Sequence, residues 1–223
     1  SNQVMISNLD GTIQKAILNS SENLESEFTR IANTQDILFS TSNLDFNNRW
    51  LAHDSAVQEI NNSTVYDMKP TLAHNSHHYA FVSTRSGNEQ LYYGDLISGS
   101  SRALSQLTDF RRYHHLSFSP DDSLLLAGNA SHIWLLDMAQ QLTRQELAIL
   151  SSDNAIFTTK GALFSATWLN SDFLYFKIAL SGQIKGYLYN RHSQHLVEVD
   201  NRWQVLLTDH KAPDTLFMID AID

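Results

Sequence analysis

The stretch LSFSPDDSLLLAG, from Leu116 to Gly128, decides the fold. It reads as a short strand, a polar turn around Pro120 and Asp121, and a second strand made of bulky apolar residues, the pattern of a β-hairpin with a buried second arm. Three other stretches repeat it: TRIANTQDILFS (Thr29 to Ser40), PTLAHNSHHYAFVS (Pro70 to Ser83) and SATWLNSDFLYFK (Ser165 to Lys177). Aligned, they place Ile31, Leu72, Phe118 and Trp168 at one position, with steps of 41, 46 and 50 residues.

A second pattern keeps step with the first. Apolar runs that close on Asp or Asn begin at Val4 (VMISN), Trp50 (WLAHD), Leu91 (LYYGD), Ile133 (IWLLD) and Gly186 (GYLYN), steps of 46, 41, 42 and 53 residues. Most of these fall near the period of about 40–45 residues expected of a four-stranded propeller blade. Further β-like runs follow: IQKAIL (Ile13 to Leu18), VQEI (Val57 to Ile60), SRALSQL (Ser101 to Leu107), RQELAIL (Arg144 to Leu150) and HLVEV (His195 to Val199). Each unit thus holds four strands, a to d: a and b flank the polar turn, c ends in Asp or Asn, and d follows. A β-sandwich would also show evenly spaced hairpins, but it requires no recurrence in register along the chain.

The expected fold is therefore an all-β propeller of about five four-stranded blades in a single domain, 1–223. Four blades are expected at approximately 27–60, 69–107, 115–150 and 164–199. The fifth is composite: the N-terminal c and d strands within 1–18 pair with WQVLLTD (Trp203 to Asp209) and TLFMID (Thr215 to Asp220), the a and b strands within 203–223. Such pairing would leave no bare strand edge at the closure. If further blades precede this chain in its native protein, the ring is open, and the exposed flank predicts a homodimer or aggregation. The four tryptophans and Phe39, Phe81, Phe118, Phe176 and Phe217 are expected to pack between blades.

Composition narrows the function classes. The 223 residues carry a formal charge of −9 and 42% hydrophobic residues, a globular balance whose acidity disfavours direct contact with nucleic acid. The absence of cysteine excludes disulfides, thiolate zinc sites and a cysteine nucleophile, while leaving the compartment open. No apolar run is long enough for a membrane helix, and the start SNQVMISNLDGTIQ lacks the order of a signal peptide. The Ser1-Asn2 start reads as the scar of a cleaved tag, so any membrane attachment would come through a segment upstream.

The segment from Tyr79 to Gly128 resembles a TolB-type, WD-like propeller repeat. Phe118, Ser119, Pro120 and Asp121 match that family's F-S-P-D-G turn, and Gln90, Leu91, Tyr92, Asp95, Leu96 and Gly99 match its Q-L-Y-x-x-D-L-x-x-G strand and turn. Asp122 stands where the family favours Gly, and Ala73-His74-Asn75 replaces Ser-Pro-Asp in the neighbouring repeat. The resemblance implies a periplasmic or cell-surface module. Such modules serve in the Tol system, as propeller halves of prolyl-oligopeptidase-like peptidases, or as extracytoplasmic parts of membrane-anchored winged-helix transcriptional regulators of the ToxR/CadC kind. The acidic, cysteine-free chain suits the last best, as a sensor domain tethered to the inner membrane and engaged in signal transduction. An accessory hydrolase propeller and a Tol-like envelope scaffold are the alternatives.

No chemistry of catalysis is written in the chain. It has no G-x-S-x-G elbow, P-loop, dinucleotide fingerprint or H-E-x-x-H, so no enzyme and no cofactor are expected. Two groups are candidate binding residues. His74, His77 and His78 lie in one a–b turn, and neutral imidazoles ligate zinc, copper or nickel; the same cluster could instead act as a pH sensor. Arg111, Arg112, Tyr113 and His115 could clamp an anionic ligand, or meet a protein, at the mouth of the ring. Asp54, Asp95 and Asp137, with Asn8 and Asn190, recur once per blade. They are expected to tie local turns through side-chain to backbone hydrogen bonds.

Overall fold

The computed structural model describes the backbone at residues 2–7, 12–20, 23–24, 29–30, 37–42, 46–51, 57–60, 63, 65–107, 112–143, 147–199, 203–209 and 212–220, and side chains chiefly at 37–39, 48–50 and within 65–199. The chain divides into two compact units, Ser1–Ala103 and Leu104–Asp223.

The first unit opens with β1 (Asn2–Ser7) and β2 (Ile13–Ser20), an antiparallel hairpin. A five-stranded sheet follows, from β3 (Asn23–Leu24), β4 (Thr29–Arg30), β5 (Ile37–Ser42), β6 (Phe46–Leu51) and β7 (Val57–Glu59), with β3 and β4 both pairing β5. The next sheet is a four-stranded antiparallel meander of β8 (Asp67–Leu72), β9 (His78–Ser83), β10 (Gln90–Asp95) and β11 (Ser101–Ala103). These are the a to d strands read from the repeat. Strand β9 is buried at all but its first residue, so it carries apolar side chains on both faces, as a sheet covered on both sides requires. Leu38 of β5 joins Leu72, Tyr79, Phe81, Tyr92 and Leu96 in one cluster, with Trp50 and Ile60 packed against it. One sheet therefore lies face to face on the other.

The second unit begins with β12 (Ser105–Leu107) and continues with β13 (Tyr113–Phe118), β14 (Leu124–Asn129) and β15 (His132–Asp137). A short helix α1 (Met138–Thr143), β16 (Ala148–Leu150), a 3-10 turn at Ser152–Asn154 and β17 (Phe157–Thr158) come next. Strands β18 (Ala162–Trp168), β19 (Phe173–Leu180), β20 (Gln183–Asn190) and β21 (His195–Val199) form a second complete meander, and β22 (Trp203–Asp209) with β23 (Ala212–Asp220) form a hairpin. The core of this unit again lies between sheets. Leu126 and Ile133 pack on Leu163, Leu174, Phe176, Ile178 and Tyr189, and Phe157 stands 4.7 Å from Phe176.

The blade expected at 115–150 departs from its reading. RQELAIL was to supply strand d, yet among the described residues that edge of β15 is paired by β17, at His132 and Ile133. Strand β16 runs parallel to β12 instead, so the run SRALSQL is also divided, with Ser101–Ala103 completing one sheet and Ser105–Leu107 starting another. The cause is local. Asp137 Oδ1 accepts the Gln140 amide at 2.9 Å and starts helix α1 directly after β15, while the Trp134 indole donates to the Ser151 carbonyl at 2.8 Å. The indole holds the returning chain at side-chain distance, beyond the roughly 4.8 Å spacing of paired strands.

Both terminal hairpins form, each as a two-stranded sheet of its own, and no sheet among the described residues joins them. Register shifts interrupt both, at Val4/Met5 and Ile6/Ser7 and at Trp203/Val205 and Thr208/Asp209.

The SPDD turn accounts for the family's glycine. Asp122 has φ +57°, in the left-handed region that glycine enters most readily and that Asp tolerates. A different glycine is fixed by packing: a Cβ at Gly94 would sit 2.5 Å from the Tyr79 ring. Gly94→Ala is expected to lower stability by about 1–3 kcal/mol, read as a fall in the thermal midpoint. Combined with Tyr79→Leu it should cost less than the two changes separately; strict additivity would show that the ring does not meet this position.

Candidate functional site

The Asp and Asn residues that close the c strands do what their recurrence predicts wherever their side chains are described. Asp95 Oδ1 accepts the amides of Ile97 and Ser98 at 2.7 and 2.9 Å, and Asn190 Oδ1 accepts those of His192 and Ser193 at 2.9 and 3.0 Å. Asp137 caps α1 in the same manner. Asn8 and Asp54 lie outside the described residues. These side chains satisfy turn amides and so shape the face where a–b and c–d turns meet.

The histidines of the β8–β9 turn are not brought together. His74 and His77 are exposed, whereas His78 is held in place: its Nε2 lies 3.2 Å from Asp95 Oδ2, its Nδ1 lies 3.1 Å from Ser76 Oγ, and its ring stacks on Tyr93 at 5.0 Å. The Ser98 amide, with help from Ile97 and His78, holds the Asp95 carboxyl below the usual carboxylate range. Among the described residues no three His, Asp or Glu side chains converge as metal ligands.

The basic stretch is likewise divided. Arg111 lies outside the described residues, Arg112 is exposed, and His115 is half-buried beside Gly128. Tyr113 is 1% exposed, with its hydroxyl 3.4 Å from Ser105 Oγ and its ring edge-on to Trp134 at 6.4 Å. It is a core residue whose strand, β13, turns it inward. In the first unit a different arginine is engaged: Arg85 meets buried Asp67 at 2.5 Å, donates to Ser83 and Ser101, and covers the Tyr92 ring at 4.9 Å. Burial pushes the Asp67 carboxyl upward against the lowering effect of Ser83 and Arg85.

In the second unit two turns of neighbouring sheets are joined by residues that sequence reasoning passed over. Arg191 donates from Nη2 to Asp121 Oδ2 at 3.0 Å and from Nη1 to Ser123 Oγ at 2.9 Å, and its Nε lies 3.8 Å from Asp172. His192 Nε2 is 2.9 Å from the same Asp172 oxygen. The only hint in the chain was the place of Arg191 and His192 directly after Asn190, in a c–d turn.

Beside this face the second unit carries a cleft of about 430 Å³, lined by Trp134 to Asp137, Gln140, Gln141, Leu147 to Leu150 and Asn154. It occupies the place where strand d of this blade would have run. Two of its apolar residues, Leu147 and Ile149, are 41% and 61% exposed, and Leu142 of the adjoining helix is exposed too. Its lining contains no nucleophile paired with a base.

Burial draws the Asp121 carboxyl upward, but the hydroxyls of Ser119 and Ser123, the Ser123 amide and Arg191 outweigh it and hold the group at about 2. A depressed carboxylate pKa contributes stability above the unfolded value, near 3.9, that is lost as pH falls toward 2. The side chain is 35% exposed, so the contribution is discounted to about 1 kcal/mol. Asp121→Asn is expected to remove the part of the stability loss that falls between about pH 4 and pH 2. Urea titrations at pH 6 and pH 2.5 measure this, and an unchanged pH dependence would rule the bridge out as its source.

No family model matches the sequence, and no curated protein does. Solved structures do. A putative TolB from Agrobacterium tumefaciens superposes with a TM-score of 0.63 at 10% identity, over 84% of this chain and 69% of that one. TolB from Acinetobacter baumannii gives 0.64 at 14% identity, over 85% of this chain and 46% of that one. The β-propeller domain of the Trilobed protease from Pyrococcus furiosus, described as having an open velcro topology, gives 0.54 at 13% identity, over 80% and 57%. Identities this low speak for the fold alone. With its four-stranded antiparallel meanders packed face to face, the chain has the fold of the TolB-type, WD-like β-propellers.

Proposed function

We propose that this chain is a non-enzymatic interaction module that works outside the cytoplasm as the sensing part of a membrane-anchored transcriptional regulator. In this reading the residues 1–223 act as one propeller domain, and the cleft of the second unit receives a protein partner. The observation that carries the reading is that cleft. Exposed Leu147 and Ile149 border a concavity that also offers Asp137, Gln140 and Asn154, the mix of apolar centre and polar rim found at protein contacts. The lack of any nucleophile, metal or phosphate motif in the sequence supports a binding role over a catalytic one. The location rests on the family resemblance, and the acidic, cysteine-free composition agrees with it.

A Tol-like envelope scaffold is the second reading, favoured by the likeness to two TolB structures. One pair of measurements separates the two. Leu147→Asp combined with Ile149→Asp, introduced in the native full-length protein, is expected to leave the thermal midpoint of the 223-residue chain within about 2 °C, since both side chains stand at the surface, 41% and 61% exposed. Under the sensor reading, output of the regulated promoter falls at least tenfold with no change in detergent sensitivity of the cells. Detergent sensitivity without a change in transcription would favour the scaffold, and no effect on either would discard the cleft as the working surface.

A further inference from the structure

The cleft has a chemistry more specific than apolar. The Ile133 carbonyl accepts the Ile156 amide at 2.8 Å, and the Ser131 carbonyl accepts the Thr159 amide at 2.9 Å. Both bonds lie on the outer edge of β15, away from β14. Backbone groups along a strand alternate between its two edges with a period of two, so Leu135 and Asp137 present their amides on that same outer side. Trp134, Leu136 and Met138 face β14, and the Met138 amide reaches the Ser123 carbonyl at 3.0 Å. Among the described residues β17 pairs only with His132 and Ile133, and no strand pairs with Leu135–Asp137 on this side. In the meander of β18 to β21 the corresponding edge is covered over five residues, Gly186 to Asn190.

On the far side of the cleft stands β16, paired to β12 and bordering the cleft with Ala148, Ile149 and Leu150. Among the described residues the cleft is thus bounded by an unpaired strand edge and by apolar side chains. Its Asp137 carboxylate already accepts from Gln140, at Oδ1 and Oδ2, and two acceptor oxygens leave room for a further donor. Asp153, in the turn that adjoins Asn154, is exposed, and the chain as a whole carries −9. An occupant must supply backbone donors and acceptors in extended form, apolar side chains toward Leu147 and Ile149, and positive charge.

We propose that the cleft takes an extended segment of a partner protein, apolar residues alternating with Lys or Arg, which adds as a strand to the Leu135–Asp137 edge of β15. The proposal rests on the protein-interaction reading above and deepens it. Strand addition of this kind draws affinity from main-chain hydrogen bonds and selectivity from alternate side chains. It also gives the open edge a use, where an uncovered strand edge is otherwise an aggregation hazard.

The test uses the 223-residue chain and an acetylated heptapeptide of alternating Val and Lys. The expected result is saturable binding that slows amide hydrogen exchange at Leu135 and Asp137 by at least tenfold and leaves Trp134 and Leu136, already bonded to β14, unchanged. The same peptide with N-methyl groups along one edge should not bind, nor should a Val/Glu heptapeptide. Asp137→Asn, which keeps the helix cap, should weaken the Val/Lys peptide about threefold at low salt. Equal binding of the N-methylated peptide, or exchange protection elsewhere, overturns strand addition. Protection of Leu135 and Asp137 that rises with protein concentration alone assigns the edge to a second copy and overturns it as well. If no peptide binds yet the Leu147/Ile149 double variant still silences transcription, strand addition falls and the interaction reading stands; if neither occurs, both fall.

Discussion

Burial on both faces of the second strand in the sheets led by β8, β13 and β18 is the constraint that the rest of the fold obeys. Strands β9, β14 and β19 present Phe81, Leu126 and Phe176 with no exposure, and a strand can be dry on both faces only when its sheet is covered on both sides. Each side chain of this size removed from water contributes on the order of 1.5–3 kcal/mol. In the first unit the five-stranded sheet covers the β8–β11 meander through Leu38 and Trp50. In the second, the β13–β15 sheet and the β18–β21 meander share one cluster. The apolar runs that end in Asp or Asn follow from this geometry, because a buried strand must surface at a turn whose amides need acceptors.

The polar chemistry is arranged around that packing. Asp95, Asp137 and Asn190 satisfy turn amides of their own loops, and Asp121 does the same for Ser123 before it also receives Arg191 from 70 residues away. Arg85 plays the corresponding part inside one sheet, where it neutralises the dry Asp67 carboxylate while its plane lies over Phe81 and Tyr92. A buried carboxylate without such a partner would cost several kcal/mol. The histidines and arginines that stand out by composition are mostly elsewhere, on exposed turns or, beside Tyr113, at the end of a core strand.

The cleft arises where the regular repeat fails. Trp134 packs against His132 and Tyr113 and still reaches the Ser151 carbonyl, which holds the 147–151 segment off β15. The chain gives up part of a fourth strand in that blade and gains a concavity with an open edge. A concavity left by an omitted strand follows naturally from a repeat fold, since the remaining strands hold its walls.

The amino-acid sequence by itself determined the four-strand repeat, the order of most of its strands and the turns closed by Asp95, Asp137 and Asn190, because these depend on residues within a few positions of one another. It also pointed to Asp122 as a departure, and the left-handed backbone there shows why the family prefers glycine. Tertiary structure alone decided that Ala148–Leu150 pairs with Ser105–Leu107, that β17 covers only two residues of β15, that Arg191 reaches Asp121, and that Tyr113 turns into the core beside Trp134. Each of those depends on contacts between segments far apart in the chain. Their strand and charge preferences are nearly equal for several partners, and only the packing of whole sheets chooses among them.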